Sequence, residues 1–304
     1  MNYKRIIQSI YEEVKAMPAK GKLANYIPHL AEVKPNKLGV HITMQNGLDF
    51  GVGDYEEGFS MQSVTKVLSL SLAYKLKGES LWERVGVEPS GTSFNSLTQL
   101  EADKGIPRNP FINAGALVIC DFLVSELKNP ETEFLAFCRD VADDESINYD
   151  ANVCRSEREV GFRNVALCNF VKSFGNIKNE PARVLDFYFS MCSMTMSCQQ
   201  LSKAFLFLAD DQFRLPNGEQ VLEKKMTHRI NALMLTCGFY DESGEFCFRV
   251  GLAGKSGVGG GVIAVSPDNY SIAVWSPLLN EKGNSYKGIQ FLERFTSETD
   301  SSVF

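Results

Sequence analysis

Two short stretches hold residue types that can do chemistry together. Ser63-Val64-Thr65-Lys66 sets a hydroxyl and an amine three positions apart, and residues three apart on a helix share a face. The amine can take the serine's proton if burial or a neighbouring cation disfavours its charged form, whose ordinary pKa is about 10.4. A helix beginning at the serine also aims backbone amides at developing negative charge. The spacing alone is a weak signal, because Ser125-Glu126-Leu127-Lys128 repeats it and reads as a helix surface.

Lys255-Ser256-Gly257 lies inside VGLAGKSGVGGG, Val250 to Gly261. A phosphate-cradling loop needs a glycine five positions before Gly254 and a helix after the Lys-Ser pair. Arg249 stands at that position, and no helix is signalled. EFCFRV before the triplet alternates like a strand, and GVIAVSPDNYSIAVWSP after it reads as two strands joined by a Pro-Asp-Asn turn. The triplet therefore fits a strand edge whose glycines permit close backbone approach to a substrate. A serine and lysine at a helix start, with a distant K-[ST]-G, form the arrangement of penicillin-binding proteins and class A β-lactamases. Their third element, S-x-N, has two candidates, Ser93-Phe94-Asn95 and Ser146-Ile147-Asn148. The sequence contains neither G-x-S-x-G nor H-E-x-x-H, and its three histidines are His29, His41 and His228.

The elements that must position these residues follow from periodicity. MNYKRIIQSIYEEVKAM places Ile6, Ile7, Ile10, Tyr11, Val14 and Met17 at helical spacing. LGVHITM and LDFGVGD flank Gln45-Asn46-Gly47, which predicts a hairpin. SMQSVTKVLSLSLAYKL predicts a helix starting close to Ser63, burying Val64, Val67, Leu68 and Leu72 and ending near Gly78. Gly91 to Pro110 is rich in turn residues and reads as a long exposed loop, suited to a mobile gate. Phe111 to Cys237 reads mainly helical, and SYKGIQFLERF closes the chain as a helix. The expected architecture is α/β, one catalytic unit over 1–304. Residues 1–70 with 237–304 form a mainly antiparallel sheet lobe flanked by helices, and 71–236 an inserted all-helical lobe.

Composition narrows the function. The chain of 304 residues carries a net charge of −6 and no basic run, which argues against nucleic acid and anionic lipid as partners. No apolar stretch reaches the roughly 18 residues of a membrane span. The charged, amphipathic N-terminus does not read as a signal peptide, so a cytoplasmic protein is expected. Eight cysteines without a CxxC pair read as reduced core thiols, with no metal.

Eight separated blocks then carry a resemblance over nearly the whole chain. They are YIPHLA (Tyr26 to Ala31), MQSVTK (Met61 to Lys66), VGVEPSG (Val85 to Gly91), NPFINAGAL (Asn109 to Leu117), SEREVGFRN (Ser156 to Asn164), LDFYFSMCS (Leu185 to Ser193), CGFYDESGEF (Cys237 to Phe246) and VGLAGKSGVGGG. In this order they resemble the glutaminase family with the serine β-lactamase-like fold, in its compact bacterial type. The resemblance implies hydrolysis of L-glutamine to L-glutamate and ammonia, no cofactor, and a homo-oligomer, dimer or tetramer. It makes Ser63 the nucleophile and Lys66 its base, with the amides of Ser63 and Val258 as oxyanion hole and Tyr240 and Tyr26 as proton relays. It sets Gln62, Asn113, Glu157, Asn164 and Tyr188 around the amino-acid end of the substrate, with Tyr240 and Val258 in contact too. Lys255, Ser256 and Gly257 are expected to line the site's edge. A penicillin-type hydrolase and a glutamine sensor without turnover are the alternatives.

Overall fold

The computed structural model describes residues 1–90 and 97–304. Helix α1 (Tyr3–Ala16) starts where the Asn2 side chain accepts from the Arg5 amide at 3.1 Å. Strands β1 (Gly39–Met44) and β2 (Asp49–Gly53) form the expected hairpin, turned at Gly47 with φ 82°. Then come β3 (Phe59–Ser60), α2 (Thr65–Lys77), α3 (Leu97–Ala102), α4 (Asn113–Glu126), α5 (Pro130–Ala142), β4 (Asn148–Tyr149), α6 (Ala151–Val160) and α7 (Phe162–Ser173). The chain continues through α8 (Pro181–Cys192), β5 (Met194–Met196), α9 (Cys198–Ala204), α10 (Lys224–Cys237) and α11 (Ser243–Arg249). Strands β6 (Ala253–Ser256), β7 (Gly261–Ser266) and β8 (Tyr270–Trp275) precede the closing helix α12 (Tyr286–Thr299).

Five strands from both ends of the chain share one antiparallel sheet, ordered β2-β1-β8-β7-β6. Val40, Ile42, Ile272 and Val274 on one face pack with Ile7 and Ile10 of α1 and Phe291 and Phe295 of α12. The opposite face is covered by α9, where the Ser202 hydroxyl meets His41 Nδ1 at 2.7 Å and Thr43 Oγ1 at 2.8 Å. Burial pulls the His41 pKa down to about 4, so this histidine is neutral at ordinary pH.

Helices α2 and α4 form the centre of the helical layer and are buried on nearly every side. Ser69 and Ser71 are tolerated inside α2 because their hydroxyls donate back to the Lys66 and Val67 carbonyls. The helix stops at Gly78, φ 57°.

Three expectations need correction. EFCFRV is no strand: it falls in α11 and its C-cap, with Phe246 and Val250, four apart, buried while Phe248 is 90% exposed. Helical spacing of the two buried positions outweighs the apparent alternation. The expected exposed loop from Gly91 to Pro110 contains α3, and Gly105, Asn109 and Pro110 are buried; residues 91–96 lie outside the described residues. The lobe over 71–236, expected to be all-helical, also contains β4 and β5, which join β3 in a small sheet ordered β3-β5-β4; strands of two or three residues carry no legible period.

A close backbone approach fixes the start of α4. Asn109 donates to the Glu88 carbonyl and accepts from the amides of Phe111 and Ile112, which sets the turn into the helix. Gly115 lets α4 meet that turn, because a Cβ there would lie 1.9 Å from the Asn109 carbonyl oxygen. Gly115→Ala is expected to overpack the contact and cost about 1–3 kcal/mol, read as a lower denaturant midpoint. An unchanged midpoint would show that the turn can yield.

Candidate active site

The segment that presents Ser63 is fixed before α2 begins. The Met61 amide donates to the Met194 carbonyl at 2.8 Å, joining the end of β3 to β5. Gln62 then takes a left-handed backbone, φ 49°, a conformation that costs a non-glycine residue about 1–2 kcal/mol. The Val64 amide, donating to Met61, and the Thr65 hydroxyl, donating to the Gln62 carbonyl at 2.8 Å, hold the turn. Ser63 therefore sits in a 3-10 turn leading directly into α2, with Lys66 one turn further on.

The connection from β6 to β7 closes on the same turn. A Cβ on Gly257 would lie 2.6 Å from the Met61 oxygen and 3.4 Å from the Ser63 nitrogen, and one on Gly259 2.1 Å from the Ser60 oxygen. Only residues without side chains let the two backbones approach this far. Val258 is carried between them into the wall of the cavity.

Lys66 is 1% exposed. Its Nζ donates to Asn113 Oδ1 at 2.7 Å and to the Phe111 carbonyl at 3.2 Å, and Asn113 Nδ2 donates in turn to Asn164 Oδ1 at 3.0 Å. Burial pulls the amine's pKa down to about 8, and Glu157 is among the groups that oppose the shift.

The cavity beside this lysine encloses about 630 Å³. Gln62, Ser63, Asn113, Glu157, Asn164, Tyr188, Tyr240, Tyr26 and Val258 all line it, although they come from seven separate stretches of the chain. Glu157, on α6, is 7% exposed; burial raises its pKa, and a hydrogen bond from Gln62 and the charge of Lys66 pull it back. Tyr240 also has a left-handed backbone, φ 52°. Burial pushes its phenol up to about 12, offset in part by a side-chain hydrogen bond with Ser63. Tyr188 is buried on α8, and burial raises its pKa, with Cys192 and Glu157 adding to the effect. Tyr26 stands at the rim, 58% exposed.

Lys255 and Ser256 are not among the residues of the cavity wall. The Lys255 amine donates to the carbonyls of Gly238, at 3.0 Å, and Ser256, at 2.6 Å, and lies 4.8 Å from the centre of the Tyr240 ring. The Ser256 hydroxyl donates to Asn284 Oδ1. Of the expected edge, Gly257 packs against the Ser63 turn, where a Cβ would lie 2.6 Å from the Met61 oxygen. Ser146-Ile147-Asn148 is not part of the cavity wall, the Ser146 hydroxyl donating to Asp144; Ser93-Phe94-Asn95 lies outside the described residues. Ser125 donates back to the Asp121 carbonyl on α4, as a helix-surface serine does.

Sequence reasoning passed over Arg163 and Cys192, which also line the cavity. Cys192 follows Tyr188 by one helical turn and its thiol is pushed up to about 12 by burial. The i, i+4 spacing on α8 was the available signal. Arg163 precedes Asn164 and offers a cation at the cavity's edge.

Comparison with known proteins gives a consistent answer. The family model described as Glutaminase matches residues 21–304. A protein of Christiangramia forsetii named Glutaminase is 54% identical over 304 residues, covering all of both chains. A solved structure of the probable glutaminase ybaS superposes with a TM-score of 0.93 at 30% identity, covering 99% of this chain and 98% of the other. The structure of a probable glutaminase from Bacillus subtilis complexed with 6-diazo-5-oxo-L-norleucine has a TM-score of 0.89 at 31% identity, covering 100% and 98%. These neighbours carry the β-lactamase-like fold, an antiparallel sheet flanked by helices.

The titration of Lys66 follows from its surroundings. Nitrogen NMR of the side chain should give a midpoint near pH 8, and Glu157→Gln should lower it further by removing a charge that favours the ammonium. A midpoint close to the ordinary 10.4 would mean that the amine is solvated.

Proposed function

The chain belongs to the glutaminase family, and from that premise we propose that it hydrolyses L-glutamine to L-glutamate and ammonia through a γ-glutamyl ester on Ser63. The observation that carries this reading is the buried Lys66 amine one turn from Ser63, with a pKa of about 8. At pH 8 about half of such amines are neutral and able to accept a proton, against well under one in a hundred with the ordinary pKa of about 10.4.

In this reading the Ser63 oxygen attacks the carbonyl carbon of the side-chain amide while Lys66 takes the hydroxyl proton. The amides of Ser63 and Val258 stabilise the negative charge that develops on the amide oxygen. The closeness of Gly257 to the Ser63 nitrogen supports this, since it puts both backbone segments against one point. Tyr240, hydrogen-bonded to Ser63, passes a proton to the leaving nitrogen, with Tyr26 as a second hydroxyl at the rim. Its raised pKa keeps the phenol protonated and able to donate. Collapse of the tetrahedral adduct breaks the carbon–nitrogen bond and frees ammonia. Water then attacks the ester and gives a proton to Tyr240, restoring the phenol; glutamate leaves as Lys66 returns its proton to the Ser63 oxygen.

At the amino-acid end, Glu157 is the anion for the substrate ammonium. Asn164 and Tyr188 supply donors for the carboxylate, and Gln62 and Asn113 complete the polar wall. The ligand in the Bacillus subtilis structure supports the substrate class, being an L-amino acid with a carbonyl at its fifth carbon, where glutamine has its amide carbonyl. We place the working protein in the cytoplasm, in keeping with its eight free cysteines, and as a homo-oligomer on family grounds.

The test is ammonia release from L-glutamine by the purified protein. Ser63→Ala and Lys66→Ala should each lower kcat/KM by at least about a thousandfold in a folded protein. Glu157→Gln should raise KM by about ten- to a hundredfold, the loss of one charge-assisted hydrogen bond. In the wild type kcat/KM should rise with pH and level off above about 8, as Lys66 loses its proton. Undiminished turnover in either alanine variant would remove that residue from the chemistry.

A further inference from the structure

We propose that Lys255 and Ser256 are positioning residues that hold Tyr240 against Ser63, acting on the reaction through that tyrosine and not by touching substrate. The proposal rests on the role assigned to Tyr240 in the proposed reaction. A tyrosine with a left-handed backbone persists only where its surroundings over-determine the conformation, and φ at Tyr240 is 52°. The segment around it is accordingly tied down on both sides.

On the N-terminal side, the Gly238 carbonyl accepts twice from β6, from the Lys255 amine at 3.0 Å and from the Ser256 amide at 3.2 Å. Gly238 itself lies so close to β6 that a Cβ would fall 1.8 Å from the Gly254 oxygen. The Lys255 Nζ is then left 4.8 Å from the centre of the Tyr240 ring, in a site where burial and the charge of Lys66 disfavour its ammonium form. Both hydrogen bonds of this amine need only N–H groups, which the charged and neutral forms both supply.

On the other side, the chain of hydrogen bonds from Ser256 runs through Asn284. Ser256 donates to Asn284 Oδ1, and Asn284 Nδ2 donates to the Phe239 carbonyl at 3.3 Å and to Glu242. Asn280 Nδ2 donates to the same carboxylate at 2.9 and 3.0 Å, while the Phe239 amide donates to the Ser243 hydroxyl at 3.0 Å. Residues 238, 239, 242 and 243 are thus all bonded, and Tyr240 lies between them. Lys255 and Ser256 are 1% and 0% exposed and absent from the cavity wall; Lys255 lies against the Tyr240 ring, and it is also within electrostatic reach of Lys66.

A double-mutant cycle on ammonia release from L-glutamine tests this. Lys255→Met should lower kcat at least about tenfold with KM within about twofold, and should cause no further loss in a Tyr240→Phe background. Ser256→Ala, the gentler change, should follow the same pattern and serves if Lys255→Met does not fold. A tenfold rise in KM with kcat intact would make Lys255 a substrate contact and overturn the proposal. So would a loss of kcat that adds in full to that of Tyr240→Phe, since damage unrelated to Tyr240 is additive. A Tyr240→Phe enzyme with the wild-type rate would instead remove Tyr240 from the reaction, and the positioning role would fall with it.

Discussion

The Lys66 amine is held in the interior of the helical layer by one backbone carbonyl and one side-chain amide oxygen, both of them neutral acceptors. Removing such a group from water is unfavourable, and the unfavourable energy appears as a depressed affinity for the proton. Much of the surrounding architecture follows from keeping that amine dry. Helix α2 has to be covered on nearly every side, which α4 and its neighbours do. The turn from Asn109 to Asn113 has to present both acceptors at one point, and a helix residue as small as Gly115 is required for it to fit. Apolar packing around α2 offsets the burial of the amine.

Two of the non-glycine residues with left-handed backbone lie on the two sides of Ser63. Gln62 precedes it in the chain, Tyr240 meets it across the cavity, and both have left-handed φ. In each case hydrogen bonds from neighbouring segments hold the conformation, from Thr65 and Met194 near the first and from β6 and Asn284 near the second. The glycines at 257 and 259 add a third constraint, since they bring an amide-rich loop against the serine turn. Rigid backbone on three sides is what preorganised stabilisation of a transient charge demands.

Local pattern made the frame legible: the Asn46-Gly47 hairpin, the apolar stripe of α1 and the Pro-Asp-Asn turn between β7 and β8 were all visible in the sequence. It failed where two periods competed, as in EFCFRV, where alternation over six residues hid a helical pair at Phe246 and Val250. Of the candidate site, the Ser63–Lys66 spacing was readable as chemistry, whereas Glu157, Asn164 and Tyr188 meant nothing singly and became legible only through the resemblance of their blocks. Lys255 shows the limit of motif reasoning. The triplet suggested a substrate-facing edge, but the direction of a side chain depends on which acceptors the fold brings near, and the Gly238 carbonyl is not visible in sequence.

The pairing of β1 with β8 also constrains how this protein is made. Gly39 is in register with Trp275, so strands from the two ends of the chain are neighbours in the centre of the sheet. Contacts so far apart in sequence are slow to form, and on a ribosome the early hairpin has to wait for nearly the entire chain to emerge. During that interval β1 has an unpaired edge and the turn carrying Ser63 lacks the glycine loop that closes on it. Nascent or prematurely terminated chains therefore carry the serine and lysine without a finished catalytic centre, which needs the C-terminal strands and the loop between β6 and β7.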